Sequence, residues 1–195
     1  MGGPGAFLEK LVTLKVEHSV VDVQVVRYLS ARSPLKNLSL RGSGTGNANL
    51  DDTVVLRWFR PQVTNTWQSL KLLDLSEMMN GGVQLLKQWV LDNAECQITH
   101  LYLEKYHVIP RRVMPPHLKL EFLSVAGYQA RGVDGVGETS TFLDIESWAA
   151  IPSMREMNVS GCNLNEVQRQ SLVATRPNVV FDLSEDFRES PRLYF

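Results

Sequence analysis

The stretch Gly42-Ser-Gly-Thr-Gly-Asn47 has the composition of a phosphate cradle. It lies between a segment that reads as a strand and one that reads as a helix, where backbone N–H groups and a helix start can face an anion. No Lys-Ser/Thr pair closes a Walker motif and the spacing is not G-x-G-x-x-G, so a tolerated loop insertion accounts for it as well. The histidines are His18, His100, His107 and His117. None lies in a His-Glu-x-x-His pattern, and no Gly-x-Ser-x-Gly supplies a serine nucleophile. Cys96 and Cys162 form no Cys-x-x-Cys pair and no Cys/His cluster at metal spacing, so each reads as packing. Arg111-Arg112, beside prolines, is a small basic spot that reads as a solvated pair on a loop. These residues imply no catalytic group, no metal site and no cofactor.

The elements that position these residues follow from an internal repeat, which must be sought before any single element is assigned. Leu35-Lys-Asn-Leu38-Ser-Leu40, Leu70-Lys-Leu-Leu73-Asp-Leu75, Ile98-Thr-His-Leu101-Tyr-Leu103, Leu120-Glu-Phe-Leu123-Ser-Val125 and Met154-Arg-Glu-Met157-Asn-Val159 share the spacing L-x-x-L-x-L. Weaker copies flank them at Leu11-Val-Thr-Leu14-Lys-Val16 and Asn178-Val-Val-Phe181-Asp-Leu183. The central positions 14, 38, 73, 101, 123, 157 and 181 are separated by 24, 35, 28, 22, 34 and 24 residues. The two long steps contain the glycine-rich stretches Gly42–Asn47 and Gly132–Gly137, which are expected to be exposed and mobile. Seven short parallel strands centred on these positions are expected in one sheet.

Helical patterns separate the hexads. They comprise Val21, Val25 and Tyr28; Val54, Val55, Trp58 and Phe59 after Asp51-Asp52; Val83, Leu86 and Val90, which Asn93 would end; and Phe142, Ile145 and Trp148/Ala149. Asn165 with Gln168 three residues on reads as a capping box that opens a helix from Glu166 to Thr175, stopped before Pro177. After Leu103, Pro110, Pro115 and Pro116 forbid a regular helix, and an extended segment or short turn is expected instead.

The sixth unit, Met154-x-x-Met157-x-Val159-Ser-Gly-Cys162-Asn-Leu164, resembles the leucine-rich-repeat consensus L-x-x-L-x-L-x-x-[N/C]-x-L in its cysteine-containing, ribonuclease-inhibitor-like form. The resemblance covers about residues 8–184. It implies an α/β solenoid of about seven divergent repeats, with a curved parallel sheet on the concave side and helices and irregular segments on the convex side. The whole chain, 1–195, is then one domain with a C-terminal tail at 185–195. The family's asparagine slot holds Ser19, Ser43, Met78, Tyr106, Tyr128 and Cys162 in successive units. With that ladder mostly missing, an irregular array with loops held by local packing is expected.

Side chains alternate along a strand, so the residues flanking each central position face away from the core. The outward pairs are Thr13/Lys15, Asn37/Ser39, Leu72/Asp74, His100/Tyr102, Phe122/Ser124, Glu156/Asn158 and Val180/Asp182. Only the middle offers large groups. Leu72, His100, Tyr102 and Phe122, with Asp74 and Glu104 at the rim, form the expected partner-binding surface, unless the chain's own insertions cover some of them. The tail Ser184-Glu-Asp-Phe-Arg-Glu189 and Pro191-Arg-Leu-Tyr-Phe195 either covers the last repeat or docks Leu193-Tyr194-Phe195 elsewhere.

A non-catalytic protein-binding module follows, a scaffold or structural subunit of a larger multi-subunit assembly. Repeat arrays need polar caps, and the apolar Ala6, Phe7 and Leu8 leave the first unit open to a partner or mark a piece of a longer chain. The alternative is the substrate-recognition part of an F-box ubiquitin ligase, which requires a further segment before Leu11. Phosphate or nucleotide binding at Gly42–Asn47 is a second alternative. The net charge of −1 gives no electrostatic case for nucleic acid. No apolar run approaches the ~20 residues of a membrane span, and no secretory leader is evident. Met1-Gly2-Gly3 lacks the Ser/Thr a myristoylation signal wants, with Ala6 in its place. Two unpaired cysteines suit a reducing, intracellular setting, cytoplasmic by default.

Overall fold

The computed structural model describes residues 10–20, 34–44, 69–78, 86–106, 114–128 and 137–194. They form one seven-stranded sheet whose strand order is the chain order. The strands are β1 (Thr13–Lys15), β2 (Asn37–Ser39), β3 (Leu72–Asp74), β4 (His100–Tyr102), β5 (Phe122–Ser124), β6 (Glu156–Asn158) and β7 (Val180–Asp182). All six pairings are parallel, and the centre of each strand meets the centre of the next: Leu14, Leu38, Leu73, Leu101, Leu123, Met157 and Phe181. The expected strand centres are therefore those of an α/β protein with one all-parallel sheet. Parallel neighbours need a crossover between them, which is why the hexads lie 22 to 35 residues apart rather than at hairpin spacing.

One face of the sheet carries the main core. Leu38, Leu73, Leu101, Leu123 and Met157 are fully buried, joined by the first and last apolar residues of the hexads from Leu35 to Val159. Full burial of one such side chain stabilises by about 1.5–3 kcal/mol. At the edges, Leu14 and Phe181 are only half-buried, because each end strand has a single neighbour. Among the described residues, two α-helices cover this face. Helix α1 (Gly137–Ala149) contributes Ile145, Trp148 and Ala149, with Phe142 packed beside them. Helix α2 (Glu166–Thr175) buries Leu172 and opens on the expected capping box, the Asn165 side chain accepting from Gln168 N–H and the Gln168 side chain from Asn165 N–H.

The Leu86–Val90 stripe is buried as expected, yet Lys87–Leu91 winds as a π-helical turn ended by Asp92 N–H on the Lys87 carbonyl. Around Pro115 and Pro116 the chain makes a short turn with Leu118 N–H on the Pro115 carbonyl, in place of a helix. The patterns at Val21–Tyr28 and Val54–Phe59, together with Val83, Ala6–Leu8, His107, Arg111-Arg112, 45–47 and 132–136, lie outside the described residues.

The turns after the strands are more regular than the missing asparagine ladder suggests. Four residues beyond each of the first six strand centres stands a residue of positive φ: His18, Gly42, Glu77, Lys105, Gly127 and Gly161. Each donates its N–H to the next unit's turn, to the carbonyls of Arg41, Ser76, Glu104, Ala126, Ser160 and Ser184 in order. A backbone ladder thus stands where side chains were expected to fail. The side-chain function also survives in two units, where Ser43 Oγ–H donates to the Val16 carbonyl at 2.6 Å and Cys162 S–H to the Val125 carbonyl at 3.3 Å. Gly42 is fixed by space as well as by φ, since a Cβ there would meet the His18 ring at 2.3 Å. No helix among the described residues is long and apolar enough to cross a membrane.

Candidate functional site: the sheet face under the C-terminal tail

The face opposite the main core carries the outward pairs, and it is not open. Leu72 and Tyr102 are fully buried and Phe122 is 8% exposed, and the three form a second, smaller cluster. Tyr102 and Phe122 meet at 5.1 Å between ring centroids, and His100 stacks on Phe122 at 5.7 Å. The six residues expected to meet a partner therefore share one surface. Asp74 and Glu104 do not sit at its rim: both have 0% exposed side chains and form the floor of the middle.

The cover is the chain's own C-terminal tail, from Ser184 onward. It crosses from β7 back over the sheet without joining it as a strand. Near its start Phe187 lies on Gly161, where a Cβ would come within 2.9 Å of the Phe187 backbone; positive φ and this close approach both demand glycine there. Lys105 Nζ lies 4.7 Å from the Phe187 ring centroid. Arg188 N–H donates to Ser160 Oγ at 2.9 Å, and Asn158 Nδ2 donates to the Arg188 carbonyl at 2.8 Å. Ser190 is buried, with its N–H on Glu104 Oε1 at 2.9 Å, its Oγ–H on Ser124 Oγ at 3.0 Å, and Asn158 Nδ2 donating to that Oγ at 2.7 Å.

Arg192 is the centre of the contact. Its Nε donates to Asp74 Oδ2 and its Nη2 to Glu104 Oε2, each at 2.9 Å, while Nη1 donates to the Ser190 carbonyl at 2.7 Å and Glu189 Oε1 at 3.0 Å. The guanidinium also lies 4.8 Å from the Tyr102 ring centroid, within cation–π range. Two desolvated carboxylates share one planar cation, and each hydrogen bond between them is charge-assisted. Burial by itself would lower the Arg192 pKa, but Asp74 and Glu104 raise it overall. Burial pushes the Tyr102 phenol up to about 12, so it stays protonated and donates to the Pro191 carbonyl at 3.0 Å.

No family model matches this chain, and no curated protein matches it.

Further along, Tyr194 reaches β1, where Lys15 Nζ sits 3.8 Å from its ring centroid. The tail therefore does more than cover the last unit: Tyr194 docks on the first strand, and Phe195 lies outside the described residues. A charged row on the turns supports the tail's edge. Arg41 pairs with Glu77 at 2.7 Å and with Glu189, and Lys105 reaches Glu77 at 3.3 Å. Although burial opposes it, the Arg41 hydrogen bond holds the Glu77 carboxyl below its ordinary range.

Two residue groups at this site escaped the sequence reading. Ser124 and Asn158 were recognised as outward but not as tail anchors, and Ser190 and Arg192 were not singled out at all. Their only signal was a tail arginine complementary to two acids, at sequence distances of 118 and 88 residues. At the Gly42–Asn47 stretch, the described amides are already used. Gly42 N–H donates to the Ser76 carbonyl, Ser43 N–H to Leu40 and Gly44 N–H to Ser19, so none of the three faces an open cradle. Both cysteines are buried and free, and burial raises both thiol pKa values, that of Cys162 to about 12.

Proposed function

We propose that the chain is a leucine-rich-repeat solenoid of the cysteine-containing kind that works as a non-catalytic protein-binding platform, a scaffold or subunit of a larger intracellular assembly. Support for the repeat assignment comes from equivalence between units: all seven place their hexad centres in one register, and the first six have a positive-φ residue four positions later. The platform reading rests on the sheet face around Leu72, Asp74, His100, Tyr102, Glu104 and Phe122. The single observation that carries it is that this face is built to hold an extended polypeptide and holds one, the chain's own residues 184–194. A face that binds a segment through the Ser190 and Arg192 side chains together with backbone groups of residues 188, 190 and 191 suits protein recognition.

The test is affinity capture with mass spectrometry on the full chain, its Arg192→Glu variant and the Arg192→Glu/Phe122→Ala double variant. A glutamate placed against Asp74 and Glu104 should expel the tail and increase capture, and loss of the aromatic floor should abolish the gain. Identical capture by all three chains would move the platform off this face.

A further inference from the structure

The floor beneath the tail is also held by hydrogen bonds within the sheet and its turns. Asp74 Oδ1 accepts the Ser76 N–H at 2.9 Å, and Glu104 Oε1 accepts the Ser124 hydroxyl at 2.8 Å. Glu104 N–H in turn donates to Ser76 Oγ at 3.0 Å. Each carboxylate is thereby aimed by its own sheet, leaving Asp74 Oδ2 and Glu104 Oε2 for a cation. One guanidinium spans both through different nitrogens, over the face of Tyr102. An ammonium is a point charge without the planar fork that reaches two acids at once.

The remaining contacts read backbone or small size. Asn158 takes the carbonyl of residue 188, Glu104 the N–H of residue 190, and Tyr102 the carbonyl of residue 191. Between Ser124 and Asn158 there is room for a hydroxyl. Pro191 and Leu193 are exposed and contribute little to selection, whereas Glu189 pairs with Arg41 at the edge. The floor of the middle therefore selects Ser-x-Arg in an extended chain.

We propose that the face is a recognition site for an extended, arginine-bearing segment of a partner protein, for which the tail with Arg192 is the intramolecular competitor. This deepens the platform reading and rests on it. Charge complementarity identifies the partner's chemistry: with the tail away, Asp74 and Glu104 present two carboxylates spaced for one guanidinium beside the Tyr102 ring. The tail raises the threshold for binding, because a partner must displace a segment held at high effective concentration.

The experiment uses a fluorescent peptide with the sequence of residues 184–194, titrated into the full-length wild-type and Arg192→Glu chains. Binding to the variant should be at least about tenfold tighter than to the wild type, whose site is already filled. A peptide with Lys at the position of Arg192 should bind the variant at least about tenfold more weakly, and a peptide keeping only the residues of positions 190 and 192 should retain most of the affinity. A folded Arg192→Glu chain that ignores the peptide, or accepts Lys as well as Arg, overturns the proposal. Should that variant fold poorly, excess peptide on the wild-type chain must accelerate exchange of the tail's own residue 188 and 190 amides, and no acceleration overturns it equally. A wild-type chain that sediments as a tail-exchanged dimer at micromolar concentration makes a second copy the occupant and overturns the partner assignment. Protein capture by Arg192→Glu that excess peptide does not compete away overturns the arginine slot while leaving the platform intact. Failure of the platform reading has a different signature, namely peptide binding without any captured protein.

Discussion

The two faces of the sheet are filled by different means. On the helix-covered face, every unit supplies the same apolar positions, and Leu38, Leu73, Leu101 and Leu123 repeat one contact from strand to strand. On the tail-covered face, successive strands supply different residues: Asn37 and Ser39, then Leu72 and Asp74, then His100 and Tyr102. What unifies that face is a single segment from the other end of the chain. A repeat can specify a core by local spacing, because each unit buries its apolar residues against its neighbours. It cannot specify a surface whose partner is one distant arginine.

The difference predicts a ranking of mutational effects. Leu101→Ala removes a fully buried side chain from the repeated core and should destabilise the whole fold by about 2–5 kcal/mol, read as a lower denaturation midpoint. A loss well below that range would mean the core face is not the main source of stability. Arg192→Ala should act locally. The tail can leave and let water reach Asp74 and Glu104, so the sheet avoids the about 3–5 kcal/mol that removing one partner of a permanently buried pair costs. Its midpoint should fall by less than that of Leu101→Ala while the tail becomes susceptible to proteolysis. Equal losses in the two variants would make tail and sheet one cooperative unit.

Acid should loosen the tail-covered face in two windows. The His100 pKa is lowered by burial, so the folded state prefers neutral imidazole. Stability from this source is full above the unfolded value of about 6.5 and declines as pH falls toward the lowered value. Asp182, held down chiefly by the Ser184 hydroxyl, and Glu77, held down by Arg41 against its burial, have lowered carboxyl pKa values. Their contribution is present above about pH 4 and is lost as pH falls further. His100→Gln should remove only the upper window from a plot of melting temperature against pH. If both windows persist, the histidine is not the group responsible. The smallest effect belongs to Tyr194→Ala, which removes an exposed cation–π contact to Lys15 on β1 worth about 0.5–1 kcal/mol. It should leave the denaturation midpoint almost unchanged and free only the last residues of the tail, as seen by amide exchange.

How much of this was legible follows from the same contrast. The strand centres were readable because a hexad repeated seven times fixes both position and register, and the α2 boundary because Asn165 and Gln168 satisfy each other's backbone groups. The π-helical form of Lys87–Leu91 was not readable, since an apolar stripe at helical spacing does not distinguish the two windings. Nor was the turn ladder, which runs through backbone and is carried at His18, Glu77 and Lys105 as well as at three glycines. The face residues were found by alternation. Cover by the chain's own insertions was an open alternative, but cover by the tail was not legible, because Asp74 and Glu104 look like solvated rim acids until Arg192 is placed between them.

Amide exchange followed by NMR on the wild-type chain and on Arg192→Glu tests the covered-face account most directly. Arg188 and Ser190 donate their N–H groups to Ser160 Oγ and Glu104 Oε1, so both amides should exchange slowly in the wild type. In Arg192→Glu both should exchange at near-unprotected rates while Leu101 and Leu123, within the sheet, stay protected. Unprotected Arg188 and Ser190 amides in the wild type would contradict a docked tail, and unchanged protection in Arg192→Glu would contradict the arginine as its anchor.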